Sequence, residues 1–466
     1  MKMWSGRFRQ ALDPVFERWQ RSFDFDKRLL KYELAASGAH AQALKDAGVL
    51  TSSELIAILQ GLEKIGELAA SPEFLQDSEA EDVHHFVEKQ LVALIGDPGY
   101  KLHSGRSRNE QIATDLRLYV RAAIDQQRAD LTELASALLE KAEQAGGAGI
   151  PAYTHLQRAE PVLVSHWLLA YVEMFLRDAD RLTDCRKRVN VCPLGSGAVA
   201  GATLPLDRRA LAVGLEFDAP TANSIDATSD RDFVLEFLNT LSLLALHLSR
   251  WAEEMILFST QEFGFIHLPE AYSTGSSAMP QKKNPDLLEL TRGKAARVIG
   301  NATALMITVK GLPLAYNKDL QETQEPLFDS AETLLALVPL ATGFMKAVEF
   351  DHERMQQAAQ SGFMNAWAAA TYLVQRGVPS RLAHEQVGRL VQKCMESACE
   401  LQDLPLDELR SVNPLFDQDV YTCLTLESVL AIHDVPGGTA PARVRQAIAE
   451  AKRKIETISE EVHAHP

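Results

Sequence analysis

The sequence lacks the features that mark a secreted, membrane-spanning or zinc-binding chain. Residues 1–25 carry charges throughout and contain no apolar segment of the kind found in a secretory signal. No uninterrupted apolar run approaches the roughly 18 residues that a membrane-spanning helix needs. The five cysteines include no Cys-x-x-Cys pair and no histidine partner at zinc-finger spacing. We therefore expect reduced, mostly buried thiols in a cytoplasmic protein.

Positive charge is also scarce. The chain has 47 lysines and arginines against 63 aspartates and glutamates, which gives a formal net charge of −16. This balance disfavours a general affinity for nucleic acid or for an anionic membrane. An acidic ligand would have to bind where basic residues are locally concentrated. The 46% hydrophobic content is ample for a large folded core.

Long stretches in which apolar residues recur three or four positions apart dominate the chain, with almost no β-type alternation. They predict five long helices, over 106–145, from 161 to about 189, and over about 229–263, 285–309 and 326–348. The predicted fold class is mainly α, with an N-terminal helical domain (1–105), a central long-helix bundle (106–350) and a C-terminal helical domain (351–466). Apolar stripes on such long helices predict burial against other copies, and hence an oligomer.

The segment from Ser273 to Glu289, STGSSAMPQKKNPDLLE, concentrates hydroxyls, amides and lysines. Asn284 followed by Pro285 is a common helix start, with asparagine at the N-cap and proline at the first helical position. A helix start carries unpaired N–H groups and partial positive charge, so the segment suits an anion. Taken alone, a Gly-Ser loop with two lysines is more often a solvated connection.

Two further segments concentrate hydrogen-bond donors just before predicted long helices. HSGRSRNEQ, at 103–111, holds two arginines that offer a fork for carboxylate binding. THLQRAEP, at 154–161, contains His155, which could act as a general acid or base near neutral pH. Taken alone, the first is more often a solvated basic helix start and the second a hydrogen-bonded structural histidine.

Together the three segments resemble the signature regions of argininosuccinate lyases, a branch of the fumarase/aspartase superfamily. GSSAMPQKKNP resembles the superfamily signature GSSxMPxKxNP, and its QKKNP ending is similar to the argininosuccinate lyase branch. WSGRF, PLGSGAVAG, GLPLAYNKDLQE and PGGTAP resemble further segments of that family, in the same order. The resemblance covers essentially the whole chain and implies a three-domain fumarase/aspartase-like fold.

The reaction that this resemblance implies is a reversible β-elimination of argininosuccinate to L-arginine and fumarate in arginine biosynthesis, without metal or organic cofactor. Removing a proton beside a carboxylate creates a dianionic intermediate, which needs positive charge and hydrogen-bond donors. By resemblance, Ser276 is the catalytic base, and its alkoxide must be stabilised by neighbouring amides and by Lys282. His155 resembles the catalytic histidine and Glu289 its charge partner. The donor of a proton to the leaving nitrogen stays open, with His155 as the candidate.

Positions that match the substrate-binding residues of the family are spread along the chain. They are Ser22, Arg108, Asn109, Thr154, Asn284, Tyr316 and Gln321, with His84 as a weaker candidate. Gln324 belongs to the same set, but it stands where the family usually has lysine, so we expect weaker substrate binding than in a lysine-bearing relative. Glu160 replaces a family glutamine and adds negative charge. The resemblance implies a homotetramer whose active sites are shared between subunits, with no nucleic-acid or membrane partner.

Other functions fit the sequence less well. The segment 195–200, GSGAVA, can be aligned with a dinucleotide-binding fingerprint, but no βαβ pattern surrounds it. A serine hydrolase would need a G-x-S-x-G elbow between strand and helix, which is absent. Adenylosuccinate lyases and fumarases typically end the loop in HKRNP or GKVNP, whereas this chain has QKKNP, so these two enzymes fit less well. A structural protein on the same scaffold, like the lens δ-crystallins, stays open, although Ser276, Lys282 and His155 are all present.

Overall fold

The computed structural model describes residues 10–463, which are mostly helical, so the WSGRF motif lies outside the described residues. The helices are α1 (Pro14–Trp19), α2 (Phe23–Asp26), α3 (Leu30–Asp46), α4 (Ser52–Leu68), α5 (Val83–Ile95), α6 (Asp97–Lys101), α7 (Arg108–Gln144), α8 (Val164–Val189), α9 (Arg208–Gly214), α10 (Ser224–Ser229), α11 (Asp232–Ser259), α12 (Asp286–Val309), α13 (Gln324–Ala347), α14 (His352–Ala359), α15 (Ala366–Gln375), α16 (Ser380–Ser397), α17 (Leu406–Val412), α18 (Val420–Cys423), α19 (Leu426–Ala431) and α20 (Pro441–His463). The strands are β1 (Gly149–Thr154), β2 (Gln157–Leu163), β3 (Val191–Cys192), β4 (Ala219–Pro220), β5 (Ile266–His267), β6 (Thr274–Gly275), β7 (Lys283–Asn284) and β8 (Glu349–Phe350). They form two-stranded sheets, in which β3 and β4 are parallel and the pairs β1–β2, β5–β8 and β6–β7 are antiparallel.

Two compact units make up the chain, each from three segments. The first comprises Met1–Gln127, Asp180–Leu243 and Ala296–Leu335, and the second Arg128–Ala179, Leu244–Ala295 and Ala336–Pro466. Helices α7, α8, α11, α12 and α13 each contribute residues to both units. The predicted domain boundaries near residues 105 and 350 remain a prediction.

The core of the first unit is built by α3, α4, α5 and the early turns of α7. Phe23 stacks on Phe86 with ring centroids 4.8 Å apart. Helix α4 begins at the capping box that the sequence predicts, because Thr51 and Glu54 exchange side-chain and backbone hydrogen bonds. Apolar side chains of α3, α7 and α9 form a further buried cluster that includes Leu118 and Leu211.

The second unit packs the remaining turns of the long helices against each other. Trp251 of α11 is fully buried and meets Phe344 of α13 edge to face at 5.5 Å. Trp167 of α8 packs against Phe258 and donates its indole N–H to Glu254 at 2.6 Å, so its polar group has a hydrogen-bond partner. A separate core around α15, α16 and α18 includes Tyr372 and Phe416, whose rings stack at 5.8 Å.

All five predicted long helices are present as α7, α8, α11, α12 and α13, but the predicted start of α8 at Pro161 is wrong. Pro161 lies in β2 opposite Pro151 of β1, and α8 begins only at Val164. In a two-stranded sheet every strand has a free edge, so a proline without N–H need not break a ladder. The segment 154–161 is therefore the end of a hairpin instead of a loop before a helix.

Asn284 does not act as the predicted helix cap. It lies in β7, and its side-chain amide donates to the Thr274 hydroxyl and the Gly275 carbonyl, both at 3.4 Å. Helix α12 begins two residues later, at Asp286, after Pro285. The amide thus ties the two ends of the 274–284 loop together.

Two helical segments are long and apolar enough to cross a membrane by length and composition alone. They are Asp232–Ser259 and Lys318–Ala347. In their most apolar windows 50% and 61% of the residues are buried within the protein, as in the core helices of a folded domain.

Candidate active site

The histidine that the sequence singles out lies at the tip of the β1–β2 hairpin. The strands pair up to Thr154 and Gln157, so His155 and Leu156 form a two-residue turn. Both turn residues have positive φ, 56° and 58°, as a type I′ turn requires. Positive φ is uncommon outside glycine, although histidine adopts it more often than most residues. Thr154 and His155 are exposed, so the hairpin presents the imidazole on the surface of the chain.

The base of this hairpin is fixed by aromatic and polar contacts within the second unit. The Tyr153 ring meets Phe263 edge to face at 5.5 Å and lies 6.1 Å from Phe258. Arg158, on β2, donates to the Ser361 hydroxyl at 2.9 Å and to the Ala358 carbonyl at 3.2 Å. The tip is therefore exposed on a well-anchored base.

The 274–284 loop is closed at its neck by the β6–β7 pair and a carboxylate. Thr274 pairs with Asn284, and Gly275 with Lys283. Asp286, in the first turn of α12, accepts from the backbone N–H of Thr274 at 3.1 Å and from its hydroxyl at 2.6 Å. Lys283 donates to the Leu268 carbonyl at 3.1 Å. The second lysine of the QKKNP segment thus has a structural partner.

Ser276 lies within this loop with its hydroxyl oxygen facing two backbone amides. The N–H groups of Ala278 and Met279 donate to Oγ at 3.3 and 3.1 Å. Donors in this position stabilise negative charge on the oxygen, which is what a serine alkoxide requires. Among the described residues, Lys282 is exposed and its ammonium has no hydrogen bond or ion pair.

Within the part of the chain that the structure describes, the predicted partners His155 and Glu289 are not joined. Glu289 is exposed in the first turn of α12, and neither side chain makes a hydrogen bond or an ion pair with a described residue. Their pairing stays a prediction.

In the first unit, predicted substrate-binding residues gather around the turn that precedes α5. Arg108 contacts the carboxylates of Asp82 at 2.9 Å and Glu81 at 3.2 Å. The backbone N–H of Ser22 donates to the Glu81 carbonyl at 2.9 Å, and its hydroxyl donates to Asp26 at 2.6 Å. Burial, followed by the charge of Asp82, raises the pKa of Asp26 to about 7. Three remote segments therefore meet at one acidic turn.

The segment 316–321 lies beside the same acidic turn. Gln321 donates to the Gln20 carbonyl at 3.1 Å, and Lys318 lies 3.9 Å from Glu81. Tyr316 is half-buried, and burial raises its pKa. The nearby cations Arg231 and Arg108 lower this pKa, whereas the carboxylates of Asp82 and Glu81 raise it. Asn109 is half-buried one residue after Arg108. A cavity of about 210 Å³ opens here, lined among others by Gln20, Arg21, Glu81, His85 and Arg108.

Comparison with known proteins shows which family the chain resembles in sequence. A family model described as Lyase matches residues 6–300, and one described as Argininosuccinate lyase C-terminal matches residues 363–431. The chain is 58% identical to the argininosuccinate lyase of Koribacter versatilis (strain Ellin345) over 463 residues, which cover 99% of both chains. It is 58% identical to that of Acidobacterium capsulatum over 460 residues, covering 97% of this chain and 95% of the relative.

The chain belongs to the argininosuccinate lyase family. The predicted membership of the fumarase/aspartase superfamily and the enzyme class, a lyase, are confirmed. Solved structures agree on the mainly helical fold. An EDDS lyase in complex with formate matches with a TM-score of 0.86 at 27% identity, covering 98% of this chain and 92% of that one. The class II fumarase from Schistosoma mansoni matches in fold with a TM-score of 0.73 at 18% identity, covering 85% and 90%.

Gln324, one of the predicted binding residues of this argininosuccinate lyase family member, is buried. Only 4% of it is exposed at the first position of α13, and its side-chain oxygen has no hydrogen-bond partner among the described residues. The family lysine is thus replaced by a neutral side chain with an unused acceptor.

Arg231 is a candidate site residue that the sequence reasoning missed. Its guanidinium is buried; one N–H donates to the Asp230 carbonyl at 2.8 Å, while Nε and Nη2 have no partner among the described residues. Burial lowers the pKa of Arg231 to about 10. The charge of Arg231 opposes the rise that burial causes in the pKa of Tyr316. In the sequence it stands between two aspartates, which reads as a solvated charge cluster. Only the fold reveals a buried cation with free donors beside the predicted binding residues.

His84, the weaker candidate for substrate binding, is buried in an ionic network behind the 103–111 segment, and its contact with substrate stays a prediction. Its Nδ1 lies 2.8 Å from a Glu33 carboxylate oxygen. Glu33 also accepts from the Ser37 hydroxyl at 2.7 Å and the Gln111 amide at 3.0 Å, and Arg106 lies 3.7 Å away. The network joins α3 and α5 to the start of α7. We interpret His84 as holding the segment that carries Arg108.

Glu33, His84 and Asp115 have ligand atoms within 4.8 Å of one another, a spacing that a metal ion could bridge. The surrounding charges favour a protonated His84 imidazole over a bound metal ion. Glu33 already accepts several hydrogen bonds, and a guanidinium lies beside it. Burial opposes a charged imidazole, but the Glu33 carboxylate outweighs it and raises the pKa of His84 to about 9. Burial raises the pKa of the Asp115 carboxyl group well above its ordinary value, and the neighbouring Glu33 carboxylate raises it further.

The His84 ion pair predicts a pH-dependent loss of stability. A raised pKa in the folded state means that the stabilisation is fully present below the ordinary value of 6.5 and is lost as the pH rises through about 9. The lost contribution is up to ~3 kcal/mol, at 1.36 kcal/mol for each pKa unit. We expect the urea midpoint of the wild type to fall over this range, and that of His84→Gln to start lower and fall less.

The control for this prediction is His85→Gln. His85 is half-buried next to His84, and burial lowers its pKa, so it does not titrate in this window. His85→Gln should keep the wild-type slope. Equal slopes in the wild type and His84→Gln would contradict the ion pair.

Proposed function

We propose that this protein is an argininosuccinate lyase that splits argininosuccinate into L-arginine and fumarate, and also catalyses the reverse reaction. The observation that carries the catalytic assignment is the environment of Ser276, whose hydroxyl oxygen accepts two backbone N–H groups. An oxygen held in this way can exist as an alkoxide and take a proton from carbon.

The proposed reaction begins with the removal of a proton beside one carboxylate of the succinyl group by Ser276. The electrons flow onto that carboxylate, which becomes a dianion. The ammonium of Lys282, which has no partner among the described residues, supplies positive charge to it, together with the amide of Asn284 and the start of α12. The bond from the neighbouring carbon to the guanidinium nitrogen then breaks and leaves fumarate. His155, oriented by Glu289, is the proposed donor of a proton to the leaving nitrogen.

Substrate positioning falls to the groups around the acidic turn of the first unit. Arg108, Asn109, Tyr316 and Gln321 line this region together with Ser22, while Thr154 and Asn284 act from the hairpin and the loop. The carboxylates of Glu81 and Asp82 compensate the charge of Arg108 and hold it in place. We assign to Arg231, whose Nε and Nη2 have no partner among the described residues, the carboxylate contact that Gln324 cannot supply as a cation.

The proposed assembly is a homotetramer in which each active site combines residues from different subunits. Exposed apolar residues on the long helices support it, since Ile299, Met306 and Ile307 of α12 are 41%, 48% and 58% exposed. Apolar surface of this kind on long helices is typical of an interface. The free cysteines agree with a cytoplasmic location, which we also propose.

We expect the purified protein to release fumarate from argininosuccinate, followed by ultraviolet absorbance, and Ser276→Ala to abolish the release. Because the serine takes the proton but does not bind products, fumarate and arginine should still bind Ser276→Ala with nearly unchanged affinity.

Ser277→Ala is the matched control, since this neighbouring serine is exposed and makes no hydrogen bond with the described residues. It should keep most of the activity. Equal loss of catalysis and product binding in Ser276→Ala would mean that Ser276 only shapes the loop. A folded wild type without turnover would favour a structural protein on this scaffold.

Gln324→Lys should lower KM by roughly tenfold with kcat nearly unchanged, since a hydrogen bond to a charged group contributes ~1.5–3 kcal/mol. Gln324→Met, which is similar in size but neutral, should not lower KM. An unchanged KM in steady-state kinetics of Gln324→Lys would show that the substrate does not need a cation at this position.

A further inference from the structure

The end of α16 carries two cysteines outside the site described above. Cys394 lies in the last turn, and Cys399 follows just beyond the end of the helix. Ala398 between them adopts a left-handed conformation, with φ of 52°, and its N–H donates to the Cys394 carbonyl. The N–H of Cys399 donates to the same carbonyl at 3.1 Å. This is the closing pattern of a helix that ends in a Schellman-type turn.

In such a turn the side chain four positions before the left-handed residue contacts the side chain one position after it. Here both positions are cysteine, and Cys399 packs against the buried core that contains Cys394. Cys394 is fully buried in the core around α15, α16 and α18, and Cys399 is half-buried against the same core. Both are free thiols. The backbone geometry therefore brings together two sulfurs, one of which can be reached from solvent.

We propose that Cys394 and Cys399 form a redox-active pair that a small disulfide such as oxidised glutathione converts into an intramolecular disulfide. Cys399, the more accessible of the two thiols, reacts first. The Cys399 sulfur loses its proton and attacks one sulfur of oxidised glutathione, which forms a mixed disulfide and releases one glutathione thiolate. The Cys394 sulfur then loses its proton and attacks the Cys399 sulfur, which forms the internal S–S bond and releases the second glutathione. Both protons end on the two reduced glutathione molecules.

Contacts within the second unit connect this pair to the His155 hairpin. Glu400, next to Cys399, accepts from the backbone N–H groups of Gly362 at 2.9 Å and Phe363 at 3.2 Å. Ser361, directly before them, accepts from Arg158 of the hairpin at 2.9 Å. Closing the disulfide beside Glu400 shifts the carboxylate that holds the backbone of Gly362 and Phe363. Resting on the proposed function, we further expect oxidation to lower turnover.

The test is peptide mass spectrometry of the intact, full-length protein after treatment with oxidised glutathione. Cleavage after Lys393 and Arg410 releases both cysteines in one peptide, whereas Cys423 falls in another. After alkylation of free thiols, we expect the 394–410 peptide to be unalkylated and lighter than its fully reduced form by two hydrogen atoms. Treatment with dithiothreitol should restore the two alkylation sites.

Two variants define the outcomes. Cys399→Ser should remain alkylated at Cys394 and form no internal disulfide. The control is Cys423→Ser, which changes another half-buried thiol of the same core and should behave as the wild type. A wild-type peptide that carries stable glutathione on Cys399, or that stays fully alkylated, would overturn the proposal. Loss of turnover that dithiothreitol reverses, and that Cys399→Ser escapes, supports the link to the hairpin, and unchanged turnover in fully oxidised protein overturns that link alone.

Discussion

A protein with a net charge of −16 must concentrate its cations locally if it is to stabilise a dianionic intermediate. The proposed site offers two kinds of cation. Arg108 is held by two carboxylates, and Arg231 is buried with unused donors, so both cations are fixed before substrate arrives. Lys282, in contrast, has no partner among the described residues, and its full charge remains available. Preorganised charge of this kind costs no rearrangement during the reaction.

Holding Arg108 in place requires a rigid support, and the buried network around Glu33 provides it. The His84 imidazolium and the Arg106 guanidinium both face the Glu33 carboxylate, so removing one partner would leave a buried charge uncompensated. The network connects α3, α5 and the start of α7, which carries Arg108. The network thus supports the start of α7, where Arg108, a proposed binding residue, lies.

The sequence predicts the long helices well because their apolar spacing persists over many turns, and α7 lies within two residues of its predicted bounds. It does not predict the β1–β2 hairpin, since the turn is His155-Leu156 in place of the usual Asn-Gly, and Pro161 resembles a helix start. The motif residues of the site come from family resemblance. Arg231 and the Glu33 network could not be predicted, because burial and unpaired donors arise from tertiary contacts between segments far apart in sequence.

We propose that residues from different subunits complete each active site, and mixed oligomers test this sharing most directly. Arg108→Ala removes a binding group of the first unit, and Ser276→Ala removes the proposed base of the second, so each variant alone should be inactive. If the sites are shared, oligomers assembled from both variants contain some sites that carry neither change, and argininosuccinate cleavage should reappear. Mixed oligomers that are verified by native mass spectrometry and still release no fumarate would contradict the account.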